Sequence, residues 1–144
     1  MTGTINSASR GVAAGIVAGP PQPGPEQERL QVIIGKWINE GETAATPETP
    51  AVKITASDVY EWATGGFFVV HPAYGRIGDV SVGGVEIIGY DTAAGHYKSY
   101  FFDSQGNFNV EDITIDGNTW LWQGNATRCT AVFSDDSKTF WTNA

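Results

Sequence analysis

The passage from an apolar helical segment into a Gly-x-Trp strand is the feature that most constrains how this chain can fold. Residues 27–34 carry an apolar stripe at helical spacing, and Gly35 ends it. Residues 36–43 then alternate in the manner of a β-strand and include Trp37. This order predicts a small antiparallel barrel, with a short N-terminal helix that plugs one end and a first strand that places Trp37 there.

Strand-like segments separated by Gly, Asp and Asn turns fill the rest of the chain. Asp116-Gly117 is the strongest hairpin signal, and the tight turns after Gly84 favour an up-and-down meander over a Greek key. The region from Arg76 to Gly83 is interpreted as a Gly-rich loop. We therefore predict an all-β, up-and-down antiparallel barrel. Its strands are expected at residues 36–43, 52–62, 67–71, 85–90, 96–103, 108–113, 119–123, 127–133 and 139–141.

Composition divides the chain into an arm and one folded domain. Residues 1–24 are rich in Ser, Ala, Gly and Pro, which predicts a flexible N-terminal arm, and residues 25–144 are expected to form the barrel. The apolar run at 11–19 follows a single basic residue, so we interpret it as part of the arm and not as a secretory signal. The single cysteine, Cys129, cannot form an internal disulfide, and we expect a cytoplasmic protein.

Charge excludes two classes of partner. The formal net charge is -8, and the eight Lys and Arg residues are scattered along the chain. Nucleic-acid binding and attachment to an anionic membrane both need clustered basic residues, so neither is expected. No apolar run approaches the ~20 residues that cross a bilayer.

Five sequence blocks occur in a fixed order between about residue 27 and residue 140. The blocks are Leu30-x-x-Ile33-Ile34-Gly35-Lys36-Trp37, Tyr60-Glu61-Trp62-x-x-Gly65-Gly66-Phe67-Phe68-Val69-Val70-His71, Glu86-Ile87-Ile88-Gly89-Tyr90-Asp91, Tyr100-Phe101-Phe102-Asp103-Ser104-x-Gly106, and Arg128 with Phe133-Ser134-Asp135-Asp136. Together and in this order they resemble a bacterial family of unknown function that has a lipocalin-like (calycin) barrel.

The resemblance implies a barrel with a ligand cavity, and it implies no particular activity. Wider relatives include lipocalins, fatty-acid carriers and haem-binding nitrobindins, so a central cavity for an apolar or flat ligand is expected. In such barrels the indole of the Gly-x-Trp packs at the closed end, often beneath an arginine, a role open to Arg128 here. Family members usually continue with a further strand where this chain stops at Ala144. The barrel is therefore expected to be open, closed by the arm, or closed by a second copy in a homodimer.

Strand alternation predicts which side chains line the interior. Lys53, Glu61 and Lys98 should face water, which turns their strand neighbours inward. A slip of one residue in any strand would reverse its assignment. The resulting interior wall is aromatic with a few polar groups: Asp58, Tyr60, Trp62, His71, Tyr97, Ser99, Phe101, Phe108, Val110, Asp112, Trp120 and Trp122.

His71 is the strongest single candidate for a catalytic residue. It ends a predicted apolar strand just before Pro72, and its imidazole could act as a general acid or base with Asp58, Tyr60 or Asp112 assisting. The alternatives are a histidine hydrogen-bonded at a strand end, or an axial haem ligand. No metal site or other cofactor is expected, because two histidines and one cysteine form no ligand cluster at the usual spacings.

Three functions follow from this interior. The first is binding of a small, largely apolar molecule against Trp62, Tyr97, Ser99, Phe101, Trp120, Trp122 and Arg128. The second is a cofactor-independent isomerase, cyclase or hydrolase that uses His71. The third is a filled structural barrel, since small barrels are either packed with side chains or hold one small ligand.

Overall fold

A computed structural model describes residues 19–143, which form one curled antiparallel sheet and a short helix. The strands are hydrogen-bonded in chain order, which makes the sheet an up-and-down half-barrel and confirms the predicted fold class. The elements are α1 (Pro25–Glu28), a 3-10 turn (Arg29–Ile33), β1 (Gly35–Glu42), β2 (Lys53–Trp62), β3 (Phe68–Ile77), β4 (Val80–Asp91), β5 (His96–Asp103), β6 (Phe108–Asp116), β7 (Thr119–Gln123), β8 (Arg128–Phe133) and β9 (Phe140–Asn143). Most of the predicted arm, residues 1–18, lies outside the described part of the chain.

The N-terminal helix closes one end of the half-barrel. It begins at Pro25, whose fixed φ suits the first helical position, and Gln27 accepts a hydrogen bond from the backbone N–H of Gly24 at 2.8 Å. The apolar side of its 3-10 extension buries Leu30 and Ile33 completely, or nearly so, against the sheet. Burying two such side chains favours docking by about 3–6 kcal/mol in total.

The two edge strands meet through side chains at this closed end. The Trp37 ring of β1 lies edge-on to Phe140 of β9, with 4.8 Å between ring centroids, and is also edge-on to Phe133. Its indole Nε1–H donates to the carbonyl of Ile33 at 2.7 Å, which ties the seam to the helix. No hydrogen-bonded pairing joins β1 to β9 within residues 19–143, so aromatic packing draws the sheet edges together.

Arg128 takes no part in this seam. The expected stack of Arg128 on Trp37 is wrong, because Arg128 is exposed at the start of β8, five residues along the strand from the Phe133 that contacts the indole. At about 3.4 Å per residue the two positions are roughly 17 Å apart along the strand.

The β3–β4 hairpin is longer than predicted. The expected Gly-rich loop from Arg76 to Gly83 is mostly strand, and the chain reverses at Gly78 and Asp79, where Gly78 has a φ of 59°. His71 therefore lies in the middle of β3 and not at a strand end. Pro72 is tolerated there because the ladder between β2 and β3 is interrupted at this residue. Proline has no N–H to donate, so it fits a point where no ladder partner needs one.

The outer face of β4, β5 and β6 carries its own apolar side chains, which corrects the prediction for β6. Phe108 and Val110 are exposed on the outer face, and Asp112 is on that face too, where it binds the His96 ring. Ile113 is buried instead. Because both faces of this strand carry apolar residues, alternation alone assigned the wrong one to the interior.

Candidate functional site

His71 is held between two carboxylates inside the half-barrel. Its Nε2 lies 3.0 Å from Oδ1 of Asp58 on β2, and its Nδ1 lies 2.8 Å from Oε1 of Glu86 on β4. All three residues are less than a tenth exposed. The register explains the contact, since His71 and Glu86 are directly opposite each other in the β3–β4 ladder.

Glu86 accepts more hydrogen bonds than the other members of this group make. One carboxylate oxygen accepts from His71, and the other accepts from the Ser99 hydroxyl on β5 and from the Trp122 indole N–H on β7, the latter at 3.2 Å. Ser99 is fully buried. Three donors hold the carboxylate of Glu86 in one orientation, and their hydrogen bonds compensate for those that it loses with water.

These bonds join into a polar chain that crosses the interior from β1 to β7. Asn39 donates its side-chain amide to Asp58, Asp58 and Glu86 flank His71, and Glu86 accepts from Ser99 and Trp122. Within residues 19–143, every buried polar side-chain atom has a hydrogen-bond partner. We call Asn39, Asp58, His71, Glu86, Ser99 and Trp122 the interior polar chain.

The geometry favours a protonated His71. A neutral imidazole has a single N–H, so it would turn a nitrogen lone pair toward one of the two carboxylates, whereas the imidazolium donates to both. Burial alone would lower the pKa of His71, but its hydrogen bonds to Asp58 and Glu86 and the charges of both outweigh burial and raise that pKa above 6.5. The two carboxylate contacts and the raised pKa thus favour one positive charge on His71 between Asp58 and Glu86.

Tyr60 covers one face of the imidazole. The two rings are stacked with centroids 3.7 Å apart and an interplanar angle of 20°. Burial, reinforced by the charges of Glu86 and Asp58, raises the pKa of Tyr60 well above 10.0, so the phenol stays neutral at ordinary pH. Tyr60 therefore serves as an aromatic wall rather than as a base.

An inner cavity of about 210 Å³ adjoins the interior polar chain. Glu86 and Tyr60 reach it from one side, and Ile33 of the 3-10 turn together with residues of β5 to β9 forms the rest of its wall. That wall is mostly aromatic or aliphatic, with Glu111, Cys129 and Thr142 as its further polar members. The complete lining is Ile33, Tyr60, Glu86, Phe101, Glu111, Trp122, Cys129, Ala131, Phe133, Phe140 and Thr142.

A second cavity of about 300 Å³ opens farther from the helix. Its lining includes Asp58, Phe101 and the β5–β6 turn residues Ser104 and Gln105. Phe101 lines both cavities. The two carboxylates that hold His71 thus face different spaces, Asp58 the second cavity and Glu86 the inner one.

Only some of the predicted site residues reach these cavities. Asp58, Tyr60, Phe101 and Trp122 do. Ser99 does not line a cavity but donates a hydrogen bond to Glu86, which does. Trp120 is packed in the core against Trp122 and Phe133.

Three others serve elsewhere. Trp62 donates its indole N–H to Gln31, and the Tyr97 hydroxyl donates to the carbonyl of Glu26 at 2.7 Å, so both fasten the helix. Asp112 lies on the outer face, where it cannot orient His71.

Glu86 and Glu111 are the charged residues of the site that sequence reasoning missed. Glu86 lies in the apolar run Val85-Glu86-Ile87-Ile88, and alternation there puts Glu86 on the same face as Ile88, which is fully buried. A charge on the buried face of a strand was the available signal. Glu111 was missed because its neighbour Asp112 was predicted to face the interior, which implies the outer face for Glu111.

His71 has no free nitrogen for iron or for a substrate. Both ring nitrogens are already bound to carboxylates, so haem ligation or proton transfer by His71 would require one of these bonds to break. Between residues 19 and 143, no group of three or more His, Cys, Asp or Glu side chains is arranged to hold a metal ion.

Comparison with known proteins places the chain in a family. None of the helices between Gly19 and Asn143 is long and apolar enough to cross a membrane. The curated proteins give no match. A family model described as "Protein of unknown function (DUF1579)" matches residues 22–134, which include the helix, β1 to β8 and the whole interior polar chain. The chain belongs to this family.

Proposed function

We propose that the protein binds a small, largely apolar molecule in the inner cavity. The observation that carries this proposal is a cavity with an aromatic wall that adjoins one fully hydrogen-bonded carboxylate, Glu86. Apolar walls with a few fixed polar groups are typical of small-molecule sites. The resemblance of the sequence to lipocalin-like bacterial proteins supports the same role.

The size of the cavity limits the ligand. Its volume of about 210 Å³ is below the ~300–1,000 Å³ of sites for drug-sized molecules. A molecule with one or two rings, or a short branched chain, suits this space better than a long fatty acid or a haem.

The geometry supports binding more than catalysis by His71. The imidazole is enclosed by two carboxylates and by the ring of Tyr60, so it presents no nitrogen to the inner cavity. In an enzyme built on this interior, Glu86 and not His71 would touch the substrate, because Glu86 lines the cavity.

Binding can be tested with 2-naphthalenemethanol, a neutral two-ring alcohol, by saturation-transfer NMR and titration calorimetry. We expect saturable 1:1 binding that Ala131→Trp abolishes, because Ala131 is buried on the cavity wall. The matched control is Val132→Trp, which adds the same ring to the outer face of the same strand, where Val132 is 40% exposed. Ala131→Leu provides a milder block if the indole prevents folding. No binding by the native protein, or equal binding by both tryptophan variants, would refute the proposal.

A further inference from the structure

The charged side chains that line the inner cavity are all negative. Glu86 and Glu111 belong to its lining, and that lining contains no lysine or arginine. Arg128 immediately precedes Cys129, a cavity residue, but points to the outer side of β8 and is exposed. The positive charge of His71 is separated from the cavity, since Asp58, Glu86 and Tyr60 surround the ring.

Glu111 extends the negative charge beyond the interior polar chain. It lies opposite Ser99 in the β5–β6 ladder, two strands beyond Glu86, and it accepts a hydrogen bond from the Thr127 hydroxyl. That neutral partner leaves the charge of Glu111 uncompensated. With Asp58 and Glu86 sharing one imidazolium, the interior carries more negative than positive charge.

The aromatic rings of the cavity add to this preference. Tyr60, Phe101, Trp122, Phe133 and Phe140 line the same space. The face of an aromatic ring is electronegative and attracts cations more strongly when water is excluded. An anion would meet two carboxylates there, and would have to lose its hydration without a cationic partner.

We propose that the natural ligand of the inner cavity is an organic cation, a protonated or quaternary amine on a small apolar body. This inference rests on the proposed binding function and adds the chemical class of the ligand. The apolar body would fill the space between the rings, and the ammonium group would lie toward Glu86 and Glu111.

The test compares three molecules of the same shape and different charge. They are 2-naphthylmethylamine, a cation at neutral pH, 2-naphthalenemethanol, which is neutral, and 2-naphthoate, an anion. We expect the amine to bind at least about tenfold more tightly than the alcohol, a difference of about 1.4 kcal/mol, and the carboxylate to bind most weakly. Equal affinities for all three, or tightest binding of 2-naphthoate, would overturn the proposal while leaving the binding function intact. Failure of the alcohol and the amine to bind would refute both.

A matched pair of variants assigns the preference to the cavity. Glu111→Gln removes a carboxylate charge from the inner face of β6, and Asp112→Asn removes one from the next residue, on the outer face. We expect Glu111→Gln to lower the amine-to-alcohol affinity ratio at least about threefold, and Asp112→Asn to leave it unchanged. Equal effects of the two substitutions would mean that overall charge and not the cavity sets the preference, and would overturn the proposal.

Discussion

Oε1 of Glu86 lies 2.8 Å from Nδ1 of His71, and the two residues face each other across neighbouring strands in the interior of the sheet. A carboxylate and an imidazole buried together stabilise a fold only if their charges and hydrogen bonds are compensated. Asp58, Ser99 and Trp122 supply that compensation here.

The pH dependence of stability should report on His71. Because its pKa is raised above 6.5 in the folded protein, protonated His71 contributes stability that is fully present below pH 6.5 and is lost as the pH rises through the folded-state pKa. We expect the free energy of unfolding of the native protein, measured with urea between pH 6 and 8.5, to fall relative to that of His71→Gln. Parallel pH profiles for the two proteins would show that His71 does not titrate with a raised pKa.

Loss of the Glu86 charge should destabilise the sheet. Glu86→Gln keeps the size of the side chain but replaces an acceptor oxygen with an amide group, which puts donors opposite some of the present donors. We expect a loss of about 2–4 kcal/mol in urea unfolding at pH 7.

Glu61→Gln is the control for the loss of a carboxylate, because Glu61 is exposed on β2. It should change the free energy of unfolding by less than about 0.5 kcal/mol. Similar small effects of both substitutions would show that the interior polar chain contributes little to stability.

Two tryptophans near the sheet edges should differ sharply in their effect on stability. Trp37→Ala removes the ring that packs on Phe133 and Phe140 and the hydrogen bond to Ile33, and we expect it to cost about 2–4 kcal/mol. Trp141→Ala alters a ring on β9 that is 65% exposed and should cost less than about 1 kcal/mol. Thermal and urea unfolding would measure both, and equal losses would contradict seam closure through Trp37.

The sequence predicted the elements better than their faces. Hairpin signals such as Asp116-Gly117, together with the alternating strands, led to the nine-strand meander, and Asp116 does pair with Thr119 across a two-residue turn. The face of β6 was wrong because Phe108 and Val110 are apolar yet exposed, so hydrophobicity did not separate inside from outside. Side-chain alternation carries information only where one face is polar.

The site was only partly predictable for a different reason. Asp58, Tyr60 and His71 were singled out from their own strands, but their arrangement depends on the registers between strands. Glu86 finds its donors 15, 13 and 36 residues away along the chain. A local pattern cannot show that His71 and Glu86 lie opposite each other, because that relation is set by the turn at Gly78.

The interior polar chain should also keep the strands aligned while the protein folds. A shift of β3 by one residue against β4 would turn His71 to the outer face and leave Glu86 buried without its cationic partner, which is far more costly than the loss of an apolar contact. Hydrophobic residues alone could tolerate such a shift on β4 to β6, where apolar side chains lie on both faces. The interior polar chain should thus favour the native strand register during sheet assembly, because a misaligned register that the hydrophobic residues tolerate would leave a buried charge unpaired.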